Sequence, residues 1–139
     1  MNIHPRSYFL PLCCCAAAFL LVACATSRES LRTSASRLDE ASSRFSSETR
    51  YQGDDNRRGR VSSDAETLAK AARNFDHALN KGDSRDSVDA DYHRVTDGYE
   101  QLHSRLADAG YADQNRQVLE GFDRVTAAYR DVQVGMSRR

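Results

Sequence analysis

The sequence predicts an all-α protein, an antiparallel four-helix bundle that follows a removable N-terminal targeting segment. Two observations predict the bundle. Apolar residues recur in steps of three and four along four segments of similar length, which marks one buried stripe per helix. The later segments are divided by the glycines Gly82 and Gly110 in short polar turns, which makes successive helices antiparallel neighbours. A third observation, the apolar run from Tyr8 to Val22, sets off the targeting segment.

The first helix is expected over about 28–49. Leu31, Leu38 and Phe45 stand seven apart, with Ala35 and Ala41 between them. Serine and threonine crowd this stripe, which makes it the weakest of the four. Residues 50–62 break the pattern. Gly53, Asp54, Asp55, Asn56 and Gly59 are turn formers, and Arg57, Arg58 and Arg60 make a small basic cluster. The segment reads as a solvated loop, longer than the 2–8 residues or so usual between bundle helices. Its three arginines are the candidate interaction residues for an acidic partner or lipid headgroups.

The second helix is expected to open on a capping box, Ser63 with Glu66. Its stripe is Ala65, Leu68, Ala72, Phe75 and Leu79, and it stops at Lys81-Gly82, a last-turn cation and a C′ glycine. Asp83 or Ser84 caps the third helix, whose stripe is Val88, Tyr92, Val95, Tyr99, Leu102 and Leu106. The fourth starts near Asp113 and carries Val118, Phe122, Val125, Tyr129 and Val132. Gly121 costs about 1 kcal/mol against alanine inside a helix, which points to a close helix contact. The bundle is expected to end at 134, with 135–139 as a frayed tail. The third and fourth stripes share a frame: Tyr92–Tyr99 aligns with Phe122–Tyr129 at an offset of 30. Either an internal duplication or reuse of one core pattern accounts for it.

No cofactor or metal is expected. Glu100-x-x-His103 is the half-motif of a di-iron carboxylate bundle, but Arg130 and Gln133 stand where the second copy belongs. His77, His93, His103 and Met136 are the haem-ligand candidates, and no C-x-x-C-H accompanies them. No clustered ligands suggest zinc or copper. No glycine-flanked nucleophile or phosphate-cradling loop appears, so the chain is read as not an enzyme. Tyr92, Tyr99 and Tyr129 lie on core stripes, where core packing or a lined ligand pocket are the alternatives. Arg85, Asp86, Asp89, Asp91, Arg105 and Asp108 read as a solvated helix face.

The apolar run ends in Leu21-Val22-Ala23-Cys24, after a weakly basic start at His4 and Arg6. These four residues resemble the lipobox of bacterial lipoproteins. The resemblance implies cleavage between Ala23 and Cys24, diacylglyceryl transfer to the Cys24 thiol, and acylation of the new amine. One acyl chain holds a protein only marginally, at roughly 0.8 kcal/mol per buried methylene, whereas two or three anchor it stably. By the sorting rule of that class, Ala25 in place of aspartate implies the outer membrane, periplasmic face. The inner membrane is the alternative.

Removing the first 23 of 139 residues leaves 116, enough for one domain with its own core. Residues 24–27 would be the lipidated cysteine and a short tether. Arg6 leaves with the removed segment, which holds no acid, so 19 basic residues face 20 acidic ones. That balance gives no electrostatic case for nucleic acid. Cys13, Cys14 and Cys15 also leave, and lipidation consumes Cys24, so no disulfide is expected. The expected function is a non-catalytic protein-interaction module of the cell envelope, held at the membrane by its lipid. Two alternatives stay open: an inhibitor or immunity lipoprotein that neutralises a periplasmic toxin or hydrolase, and a small-ligand or cofactor carrier.

Overall fold

The structure, a computed structural model, describes residues 13–50, 56–108 and 116–139; for 13–27, 56–58 and 108 only the backbone is described. It contains α1 (Cys13–Arg50), α2 (Asn56–Lys81), α3 (Arg85–Asp108) and α4 (Arg116–Ser137), and the described residues include no strand. The four pack against one another as a helix bundle. Asp113 and Gly110, the expected start of the fourth helix and end of the third, lie outside the described residues.

α1 lies beside both α2 and α4, and α3 lies beside α2. Forward steps along α1 meet backward steps along α2. Arg32 donates from Nε to the Leu79 carbonyl at 3.1 Å, Asp39 meets Arg73 at 3.7 Å, and Arg50 meets Glu66 at 2.9 Å. One continuous core joins the stripes, and Leu31, Leu38, Phe45, Leu68, Phe75, Val95, Leu102, Val125 and Val132 are all fully enclosed. The serine-rich first segment is therefore a packed helix from Leu31 onward.

The ends of the helices differ from the sequence reading in three places. α1 is helical straight through Cys24 and residues 24–27, where a tether was expected. Neither glycine nor proline occurs from Leu12 to Gln52, so nothing in the chain interrupts it. α2 starts at Asn56, which turns most of the expected 50–62 loop into helix, Arg57, Arg58 and Arg60 included. The reason is Val61, only 1% exposed. It stands four residues before Ala65 and extends the α2 stripe by one step. Ser63 and Glu66 consequently do not form a terminal capping box. The Ser63 carbonyl accepts from Thr67 Oγ1, and Glu66 pairs with Arg50. At the other end α4 runs to Ser137, because Gly135 is buried against α1. A Cβ there would stand 2.7 Å from Leu31 Cδ1.

The α2/α3 turn is built as its residues suggest. Gly82 takes φ of 77°, which costs a glycine nothing. The amides of Gly82 and Asp83 both donate to the Ala78 carbonyl, at 3.1 and 3.0 Å, which satisfies an orphan end of α2. Ser84 caps α3 by accepting from the Ser87 amide at 3.3 Å. Gly121 makes the expected close contact, since a Cβ there would lie 2.9 Å from the Phe45 ring.

Two outcomes are expected from this packing. Phe75→Ala should lower stability by about 3–5 kcal/mol, as an enclosed aromatic replaced by a cavity, read from denaturant midpoints at constant slope. Two of the helical glycines, Gly59 and Gly121, should respond with opposite signs. Gly59 has open space around its Cβ position, so Gly59→Ala should gain roughly 0.5–1 kcal/mol from helix propensity. Gly121→Ala gains the same propensity but drives a methyl into the Phe45 ring, and should melt below the parent.

Candidate interaction surface

The tyrosines predicted to line either a core or a pocket meet between α3 and α4. Among the described residues no Cα of α3 comes within 8 Å of one in α4, so large side chains must span this seam. The Tyr99 and Tyr129 rings stack with centroids 4.2 Å apart, and Phe122 continues the stack 5.6 Å from Tyr99. Such offset aromatic contacts add about 0.5–1.5 kcal/mol beyond area burial. Tyr99 shares a hydrogen bond with Thr126 at 3.1 Å, and Tyr129 donates to Thr96 at 3.2 Å. Thr96 and Thr126 are equivalent in the 30-residue frame, as are Tyr99 and Tyr129. The two bonds are therefore one contact made twice, related by a local two-fold. Burial pushes the Tyr129 hydroxyl pKa upward, partly offset by its bond to Thr96.

The metal and haem candidates sit elsewhere. Glu100, His77, His93 and His103 are exposed, and His103 lies against the outer face of Tyr99 at 6.1 Å. Met136 is half-buried and packs on the core. Groups of three or more His, Cys, Asp or Glu able to hold a metal are absent among the described residues. The side chains of Ala23, Cys24, Arg57 and Arg58 are outside the described set. Arg60 is exposed in the first turns of α2. Three charged residues assigned to a solvated face are half-buried: Asp89, which pairs with Arg85, Asp91, which pairs with Arg94, and Arg105. Arg105 donates to Asp64 at 2.9 Å, where Gln101 also donates at 2.7 Å. Asp64 is itself buried, and a buried carboxylate requires such partners.

A concave site that the sequence reading missed lies between α1 and α2. Ser43, Ser46, Ser47 and Arg50 form one wall, and Glu66, Ala69, Lys70 and Arg73 the other, around a space of about 470 Å³. Its origin is small side chains on facing helix surfaces, where the α1 stripe is flanked by serines rather than leucines. Three of its lining residues are cationic and one is acidic. Arg50 and Glu66 pair across the groove at 2.9 Å, both more than half exposed. An exposed pair of this kind contributes about 0–1 kcal/mol and exchanges readily. Arg73 reaches Ser43 Oγ at 3.3 Å and Asp39 at 3.7 Å. Among the described residues nothing is paired with Lys70.

Compared with known proteins, this chain matches no family model, no curated protein and no solved structure.

Near the groove, Asp76 carries an electrostatic cost. One carboxylate oxygen accepts from Asn80 at 3.0 Å, and the other is buried with no partner. Burial raises its pKa, the charge of Asp39 raises it further, and the Asn80 bond and His77 partly oppose them. The fold thus favours protonated Asp76, a contribution present at acid pH and lost as pH rises through the raised value. Asp76→Asn should raise the melting temperature at pH 7, and the gain should shrink as pH falls into the carboxylate range. A gain independent of pH would show that the charge is not its cause.

Proposed function

We propose that this chain is a lipid-anchored bacterial envelope protein whose antiparallel helical bundle binds another protein and catalyses no reaction. The groove between α1 and α2, cationic and concave, is the observation that carries the binding half of this reading. The Leu21-Val22-Ala23-Cys24 sequence supports the anchor. Ala25 supports the periplasmic face of the outer membrane, with the inner membrane as the alternative. The order of contacts between α1 and α2 supports the antiparallel arrangement. Arg57, Arg58 and Arg60 extend the basic character of α2 to its first turns and are a second contact point for the partner.

The continuity of α1 gives this reading a geometry. Cys24 stands seven residues before Leu31, the first enclosed core residue of α1, in one helix. That separation is a rise of about 10 Å. A lipid at Cys24 would hold the α2/α3 turn end of the bundle close to the headgroups. The α1 wall of the groove begins at Ser43, about 30 Å along the axis from Cys24, toward the end of the bundle away from the anchor. Among the described residues no helix is long and apolar enough to cross a bilayer.

Replacement of Cys24 by serine should abolish incorporation of labelled palmitate. Labelling that persists in the Cys24→Ser variant would remove the anchor. Crosslinking in intact envelopes, followed by mass spectrometry, should recover the wild-type chain joined to a second protein. Recovery of the chain alone would remove the interaction role.

A further inference from the structure

We infer that the α1/α2 groove receives an acidic segment of the partner protein, with Lys70 and Arg73 taking its carboxylates. Charge complementarity is the first argument. Two cations in one concave site lack close acidic partners: Lys70 has none among the described residues, and Arg73 has only the 3.7 Å contact to Asp39. The third cation, Arg50, is held by an exposed and exchangeable pair with Glu66.

Dimensions are the second argument. From the level of Ser43 to that of Arg50 the α1 wall spans seven residues, about 10 Å of helix. Three residues of extended chain cover about the same length. An acidic tripeptide can thus lay alternate carboxylates against the cations, while Glu66 and the serines remain to meet its backbone amides. Position is the third argument, and it rests on the proposed Cys24 anchor. The groove is about 30–40 Å along α1 from that anchor, beyond the headgroups of the chain's own membrane. A protein segment is therefore the occupant rather than a lipid.

The test uses the full chain in detergent and a fluorescent, end-capped Asp-Glu-Asp peptide, followed by anisotropy. The Asp-Glu-Asp probe should bind, its Asn-Gln-Asn counterpart should not, and added salt should weaken the complex. Lys70→Gln/Arg73→Gln should lose at least tenfold in affinity. Arg130→Gln, which removes an exposed α4 cation of equal charge, should leave it unchanged. If the double variant loses helicity, Lys70→Gln alone should still weaken binding several-fold, because Lys70 holds no structural partner. The inference is overturned if the acidic probe fails to bind, if the amide probe binds equally, or if the groove variants bind like the parent. Displacement of the probe by inorganic phosphate at matched ionic strength would reassign the groove to small anions. Groove-dependent binding to phosphatidylglycerol vesicles without peptide binding would reassign it to lipid. Either result overturns the peptide assignment. Palmitate labelling at Cys24 and envelope crosslinking read the anchor and the partner separately, so a failed groove leaves those results standing.

Discussion

The sparseness of α1 is the constraint around which the bundle is arranged. It presents only Leu31, Leu38 and Phe45 as large core residues, interleaved with alanine and serine. A helix with so little apolar volume excludes water only if its neighbours come close. α4 does so by carrying glycine where it crosses Phe45 and Leu31, at Gly121 and Gly135. Each glycine forfeits helix propensity of about 1 kcal/mol relative to alanine, which the denser packing offsets. The opposite side of the bundle shows the converse. α3 and α4 stay apart, and Tyr99, Tyr129 and Phe122 fill the wider gap. Small residues around α1 and aromatics across from it are two consequences of one volume balance.

The wide seam also explains the 30-residue likeness of α3 and α4. When equivalent residues face each other across a local two-fold, every polar group has its complement supplied by the same motif on the other helix. Tyr99 with Thr126, and Tyr129 with Thr96, satisfy that rule. Subunits of two-fold dimers meet by the same isologous logic, here within one chain. The likeness accordingly has a structural use whether or not it arose by duplication.

What the sequence made legible was what periodicity governs. The stripes on all four helices, the Gly82 stop, the Ser84 cap and the close contact at Gly121 follow from local spacing and glycine conformational preferences. What it hid depended on partners distant in the chain. Turn-forming composition at Asp55-Asn56 and Gly59 concealed the start of α2, because one valine, Val61, outweighs several weak local preferences once it has a core to enter. Gly135 read as fraying until Leu31, more than a hundred residues earlier, was seen against it. Arg105 read as solvated because its counter-charge, Asp64, lies on another helix. The groove was invisible for the same reason: serines on α1 and cations on α2 become a site only when the two helices are side by side.

The same serines that weaken α1 as a core helix create that concavity, and their cost is visible beside it. Among the described residues the two buried polar atoms without a hydrogen-bond partner are Ser42 Oγ and Asp76 Oδ1, one on each helix that forms the groove. A buried unsatisfied polar group costs about 1–3 kcal/mol, and small domains have only about 5–15 kcal/mol of stability in total. Leucine at a serine position along α1 would deepen the core and close the groove together. A chain selected only for stability would place apolar residues there. Departures from local consistency tend to concentrate where a protein acts, and here the departure from good packing and the concave cationic surface occupy the same pair of helices.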